Sequence, residues 1–160
     1  MKPMRKASRQ KDAAWALEVF DKAPYVTVSM TRPDGTPYGL PLSLCRKDDR
    51  TFYFHCAPDG EKLDCLKCNP MFSLSAVSRC TPKYEEDKNN FTVYFHSAVA
   101  IGRADTVEDD AEKTEALRLL CERFLPKHMD HFNEAIERSL WRTSIVRITL
   151  TEPPVGKCKP

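Results

Sequence analysis

The densest run of residues able to do chemistry is Phe52-Tyr53-Phe54-His55-Cys56-Ala57-Pro58-Asp59-Gly60-Glu61-Lys62. Its aromatic first half reads as a strand over 51–56. Pro58-Asp59-Gly60 breaks that strand, Asp59 can cap a short helix over about 61–67, and Asn69-Pro70 stops it. Backbone N–H groups at a helix start lack partners and carry partial positive charge, so such a corner suits a phosphate. Lys62, in the first turn, adds a full charge, and His55 at the strand end can point to the same place. The alternative is an ordinary strand–helix corner with a surface lysine.

Other candidate groups carry less. Cys65 and Cys68 have the C-x-x-C spacing, but they fall inside the helix and not at its start, where the dipole lowers a thiol pKa. A zinc ribbon needs a second such pair, and Cys80 and Cys158 stand alone, so no metal ligand is assigned. His128 and His131, with Asp130 and Glu134 beside them, read as a solvated helix start. His96 can line a pocket or act as a hydrogen-bonded barrel histidine. Trp141 can plug a barrel end, meet a second subunit or stack on a flat cofactor ring. The five scattered glycines leave no G-x-G-x-x-G and no Walker A loop, which argues against a Rossmann or P-loop nucleotide site. There is no G-x-S-x-G and no H-E-x-x-H, and no catalytic residue is assigned.

The elements that position these groups follow from periodicity. A helix is expected over 11–21 with Trp15 and Val19 on one face, ended by Pro24. A strand over 25–30, the turn Pro33-Asp34-Gly35 and a strand over 38–46 make a hairpin. In the second strand Leu40, Leu42 and Leu44 point one way and Pro41, Ser43 and Cys45 the other. Further strands are expected over 71–77, 91–104 (bent near Ser97) and 144–150. The polar stretch 79–90 reads as a loop and 153–160 as an irregular tail. Asp109 with Glu112 forms a capping box for a helix carrying Leu117, Leu120, Cys121 and Phe124 at i, i+3, i+4, i+7. Pro126 ends it, and a short helix follows over 131–140.

Hairpin-joined strands argue for an antiparallel, mainly β fold with α-helices (α+β). A small barrel with flanking helices removes its exposed edges. At 160 residues the chain is expected to be one domain, 1–160, with flexible ends over 1–10 and 153–160. The formal net charge of +2 is too small to make nucleic acid or an anionic membrane the main partner. No apolar run reaches transmembrane length and no signal peptide is evident, so a cytoplasmic protein is expected. Of seven cysteines, Cys45, Cys56 and Cys121 sit in apolar patterns and read as small buried hydrophobes in a reducing compartment.

Several stretches together resemble one family. Tyr38-Gly39-Leu40-Pro41-Leu42-Ser43-Leu44, then Phe52-Tyr53-Phe54-His55-x-Ala57-x-x-Gly60-x-Lys62-x-Asp64-x-Leu66 and Asn69-Pro70, are similar to the pyridoxamine 5′-phosphate oxidase-like flavoproteins, most of all their nitroimidazole-resistance (Nim) branch. Ser97-Ala98-Val99-Ala100-Ile101-Gly102-Arg103-Ala104, Phe124-Leu125-Pro126 and Gly156-Lys157 extend the likeness over most of 11–157. The resemblance implies an FMN-binding split β-barrel working as a homodimer. It implies Pro41, Leu42 and Ser43 along the isoalloxazine edge, and His55 and Lys62 at the phosphate end. The paired basic residues that hold the substrate phosphate in pyridoxamine oxidases proper are not found, and the 79–90 stretch is long and charged.

The expected function is an FMN-dependent oxidoreductase that takes electrons from NADH, NADPH or another donor and passes them to a small acceptor such as a nitroaromatic or quinone. The alternative is a non-catalytic flavin- or cofactor-binding or storage protein. A third class, thiol redox or metal binding, rests only on the cysteines.

Overall fold

In the computed structural model, which describes residues 4–159, a two-residue strand β1 (Gln10–Lys11) leads into α1 (Ala13–Lys22). Asp12 caps that helix by accepting from the Trp15 N–H at 2.9 Å. Its buried face is Ala16, Leu17, Val19 and Phe20. β2 (Val26–Thr31) and β3 (Pro37–Leu42) form the expected hairpin, with Gly35 at φ 85 in the turn. Next come β4 (Cys45–Arg46), β5 (Thr51–Cys56) and α2 (Glu61–Cys68). β6 (Met71–Glu85) and β7 (Asn90–Val107) are the long strands. α3 (Asp110–Phe124), a 3-10 stretch (Pro126–His131) and α4 (Phe132–Ser139) precede β8 (Ser144–Leu150) and β9 (Val155–Lys159).

The strands pair antiparallel in the order β3-β2-β6-β7-β8-β5-β4, with β9 on β7 and β1. The two ends of this path, β3 and β4, are separated only by Ser43 and Leu44, about 11 Å of chain at most. The sheet therefore curls almost shut. No pairing joins β3 to β4 or β5, and the result is a split antiparallel barrel. One apolar cluster fills it, with Phe20, Val28, Phe52, Phe54, Phe72 and Leu74 among its members. A second lies outside the barrel wall under α3 and α4, around Tyr53, Leu120, Phe132 and Ile145.

Four expectations are corrected. The single strand over 38–46 is two strands, because the chain changes partner at Ser43–Leu44: β3 pairs with β2, β4 with β5. Asp59 does not cap α2; Gly60 takes the N-cap at φ 121 and no side chain bonds to that end. The 79–90 stretch is no loop. It is a two-stranded arm, Thr81↔Tyr94 to Glu85↔Asn90, turned by Glu86–Lys88 and a left-handed Asn89. Its charges reflect solvent on both faces, and solvent does not prevent pairing. The tail over 153–160 contains β9, whose alternation is hidden because glycine and lysine carry it; residues 1–3 and 160 lie outside the described residues.

Glycine is required twice for space. A Cβ on Gly102 would stand 2.9 Å from the Thr149 carbonyl oxygen on the neighbouring strand, and one on Gly156 would stand 2.4 Å from the Trp15 ring. The bend expected near Ser97 coincides with a register shift between Val77 and Arg79 on the facing strand. At the other end of β7, Asp109 caps α3 at 2.8 Å. The Glu112 side chain, half of the expected capping box, turns to the sheet and accepts from the Tyr53 hydroxyl at 2.7 Å and from Arg147 at 2.8 Å. Burial works against its charge, but those hydrogen bonds outweigh it and hold its carboxyl below the ordinary glutamate range. This network fastens α3 to β5 and β8.

Candidate functional site

Alternation along β5 decides where the chemistry-bearing residues go. Phe52, Phe54 and Cys56 face the barrel interior, and Tyr53 and His55 face α3 and α4. The β4–β5 register, Cys45↔Tyr53, extended by two residues, sets Ser43 opposite His55. Both side chains line one cavity of about 430 Å³. From there β3 runs one way as the chain from His55 to Gly60 runs the other, along the two lips of the split. At the far end Arg32, in the β2–β3 turn, pairs with Glu61 at the start of α2. The split is thus tied at both ends, and its length is roughly 20 Å for a six-residue strand.

The expected site residues fall on these lips. Pro41 is exposed and Leu42 half-buried against the core; Ser43 ends that lip. Burial raises the Cys56 thiol pKa, and half-buried Lys62 sits close enough to oppose that rise in part. His55 and Lys62 belong to one lip but opposite ends of it. His55 lines the cavity under the helices and Lys62 does not, and six residues, Cys56–Glu61, separate them in the chain. Glu61, exposed at the start of α2, is paired with Arg32, whose guanidinium also lies 4.6 Å from the centre of the Tyr38 ring.

What this arrangement can hold follows from charge. The start of α2 has no side-chain cap, Glu61 in its first turn is paired with Arg32, and the same turn carries Lys62 beside Asp64. That end fits a phosphate dianion. Along the outer face of β3 and β2, Gly39, Pro41, Thr27 and Ser29 form a surface of small side chains against which a flat ring can lie. A larger cavity, about 740 Å³, lies between α1 and the Leu150–Pro154 segment. Its arginines are already engaged, Arg46 with Asp21 and Asp49, and Arg50 with the Leu150 carbonyl.

The chain matches the pyridoxamine 5′-phosphate oxidase family model over residues 12–155. It belongs to that family. Among solved structures, a candidate 5-nitroimidazole antibiotic resistance protein from Bacteroides thetaiotaomicron is 20% identical, with a TM-score of 0.77 over 92% of this chain and 87% of the other. The flavocytochrome Anf3 from Azotobacter vinelandii is 19% identical, with a TM-score of 0.83 over 98% and 72%. The FAD and heme binding protein from Mycobacterium smegmatis is 19% identical, with a TM-score of 0.78 over 94% and 73%. At these identities the likeness establishes the fold alone. No curated protein matches the chain in sequence.

In this member of the family the remaining sequence candidates have structural settings. His96 stacks edge-on against Trp15 at 5.2 Å. Trp141 is 80% exposed. Cys65 is fully buried and Cys68 exposed, so the C-x-x-C pair faces two environments, and burial raises the Cys65 thiol. Burial also pushes Cys45 up to about 12. Neither is an activated thiolate at neutral pH. His128 and His131, expected in a solvated helix start, line the cavity with His55. Sequence reasoning passed over that cavity. The stripe Leu117, Leu120, Cys121, Phe124 was legible as an apolar face, but nothing in a stripe distinguishes a filled core from an open one. No helix among the described residues is long and apolar enough to cross a membrane.

Proposed function

We propose that this chain binds FMN along the split of its barrel, two copies forming a homodimer around the flavins, and that it works in the cytoplasm as an oxidoreductase. The observation that carries the reading is the split itself, elongated and tied at both ends. One end has an uncapped helix start with Lys62, and the other has Ser43 and His55. Lys62 and the α2 amides hold the phosphate, and Pro41, Leu42 and Ser43 run beside the ring. His55 lies near the ring end of the lip, not at the phosphate. FMN, when bound, would supply two-electron chemistry between a reduced nicotinamide and a small acceptor such as a nitroaromatic or quinone.

The dimer follows from what an open lip leaves exposed. A ring lying on Pro41 keeps one apolar face in water. The outer sheet face beside it sets Thr27, Ser75 and Val99 in one cross-strand row and carries exposed Met71, Val77 and Val99. A second copy covers both.

A second reading, cofactor binding without turnover, is favoured by one observation: no carboxylate, lysine or arginine lines the cavity at the Ser43–His55 end. An anaerobic assay separates the two. FMN-loaded protein given NADH or NADPH and a nitroimidazole is expected to consume the nicotinamide well faster than an equal concentration of free FMN. A rate no greater than that of free FMN, with the flavin still bound, leaves only the binder.

A further inference from the structure

We infer that the cavity between α3 and α4 is a binding site for one uncharged aromatic molecule. The cavity, about 430 Å³, falls in the usual size range for small-molecule sites. Its walls come from the facing apolar stripes of the two helices, Leu117, Leu120 and Phe124 on α3 and Phe132 and Ile136 on α4. The stripes do not close on each other. Phe124 stays 36% exposed and Leu125 56% exposed, although both line the cavity. That is apolar surface left in water around a concavity, which a ligand of matching size removes from water.

The chemical class follows from the polar groups. No lysine, arginine, aspartate or glutamate lines the cavity. A cation entering it would lose its hydration without a counter-charge, and an anion would meet no lysine or arginine, only the imidazoles of His55, His128 and His131, so a neutral occupant fits it best. Ser139 and Thr143 already donate to the carbonyls of Ala135 and Ser139. Ser43, His55 and His128 make no side-chain hydrogen bond among the described residues, and they are free to hold one polar substituent at the mouth. Phe124, Phe132 and the Met129 sulfur favour an aromatic body. The mouth at Ser43 and His55 is also the ring end of the split. Resting on the flavin reading, the site is then where the electron acceptor sits, and the acceptor is an uncharged aromatic compound.

The test uses the neutral naphthyl ketone prodan, whose emission moves to the blue in an apolar site. Wild-type protein is expected to bind it saturably, one per chain. Two variants fill the cavity from opposite walls, Cys121→Trp on α3 and Ala135→Phe on α4. Each should weaken prodan at least tenfold while FMN uptake and cooperative thermal unfolding stay as in wild type. Absence of saturable binding, or binding that a folded filling variant leaves unchanged, overturns the site. So does a filling variant that alters the oligomeric mass, because a second copy then covers this face. Prodan binding blocked by the variants in a protein that takes up no FMN supports the cavity and removes the flavin reading. FMN uptake without prodan binding does the reverse.

Discussion

Lys62→Ala is expected to weaken FMN about ten- to a hundredfold and to leave riboflavin affinity nearly unchanged. The phosphate of FMN is a dianion near neutral pH, and taking it out of water without compensation is costly. Two groups at the start of α2 compensate it. The helix N-terminus has no side-chain cap, and Lys62 provides a point charge in its first turn. Of the carboxylates in that first turn, Glu61 is engaged by Arg32 and Asp64 lies 3.9 Å from Lys67. A charge-assisted hydrogen bond contributes about 1.5–3 kcal/mol, and each ~1.4 kcal/mol is tenfold in affinity. Riboflavin lacks the phosphate and reports everything else. Both ligands are titrated by flavin fluorescence quenching in wild type and variant. Equal losses for the two would make Lys62 a structural residue and move the phosphate elsewhere. No loss for either would leave the strand–helix corner without a role.

The second large effect is on stability and concerns Arg123. Its guanidinium touches no carboxylate. It donates to three backbone carbonyls, Leu44 at 2.7 Å, Phe20 at 2.6 Å and Ala23 at 2.8 Å. Phe20 and Ala23 belong to the last turn and C-cap of α1, where carbonyls have no partner within the helix. Leu44 lies where the chain leaves β3 for β4. One side chain of α3 therefore fastens the end of α1 and the edge of the split together. Arg123→Met keeps much of the stem and removes all three bonds. It is expected to cost about 2–4 kcal/mol in urea unfolding, given ~1.5–3 kcal/mol per charged hydrogen bond and their non-additivity. Arg123→Lys should recover little, since an ammonium cannot reproduce the planar fork. A loss below about 0.5 kcal/mol for Arg123→Met would show that water replaces the guanidinium.

The parts of this fold legible in the sequence are those with a strong local cause. The Pro33-Asp34-Gly35 turn, the 51–56 strand, the Asp109 cap and the apolar stripe of α3 each rest on a few neighbouring residues, and each stands where expected. The parts that were not legible depend on distant partners. The 79–90 part of the arm is mostly polar and exposed, so its pairing leaves no hydrophobic alternation there. β9 is built on Gly156 and lysines because it must pass under the Trp15 ring. The break at Ser43–Leu44 arises from a change of partner strand, which no local pattern carries. The site shows the same division. Lys62 and the helix start could be found as neighbours in sequence. The outward turn of His55 depends on which face of β5 the helices cover, and the Arg32–Glu61 pair spans 29 residues.

The most direct test of the central claim is size-exclusion chromatography of the purified protein after incubation with excess FMN, with in-line light scattering and visible absorbance. The account predicts a single peak with the mass of two chains and one FMN per chain, its flavin band moving with the protein. A peak without flavin absorbance, or a stable monomer carrying FMN, would contradict it.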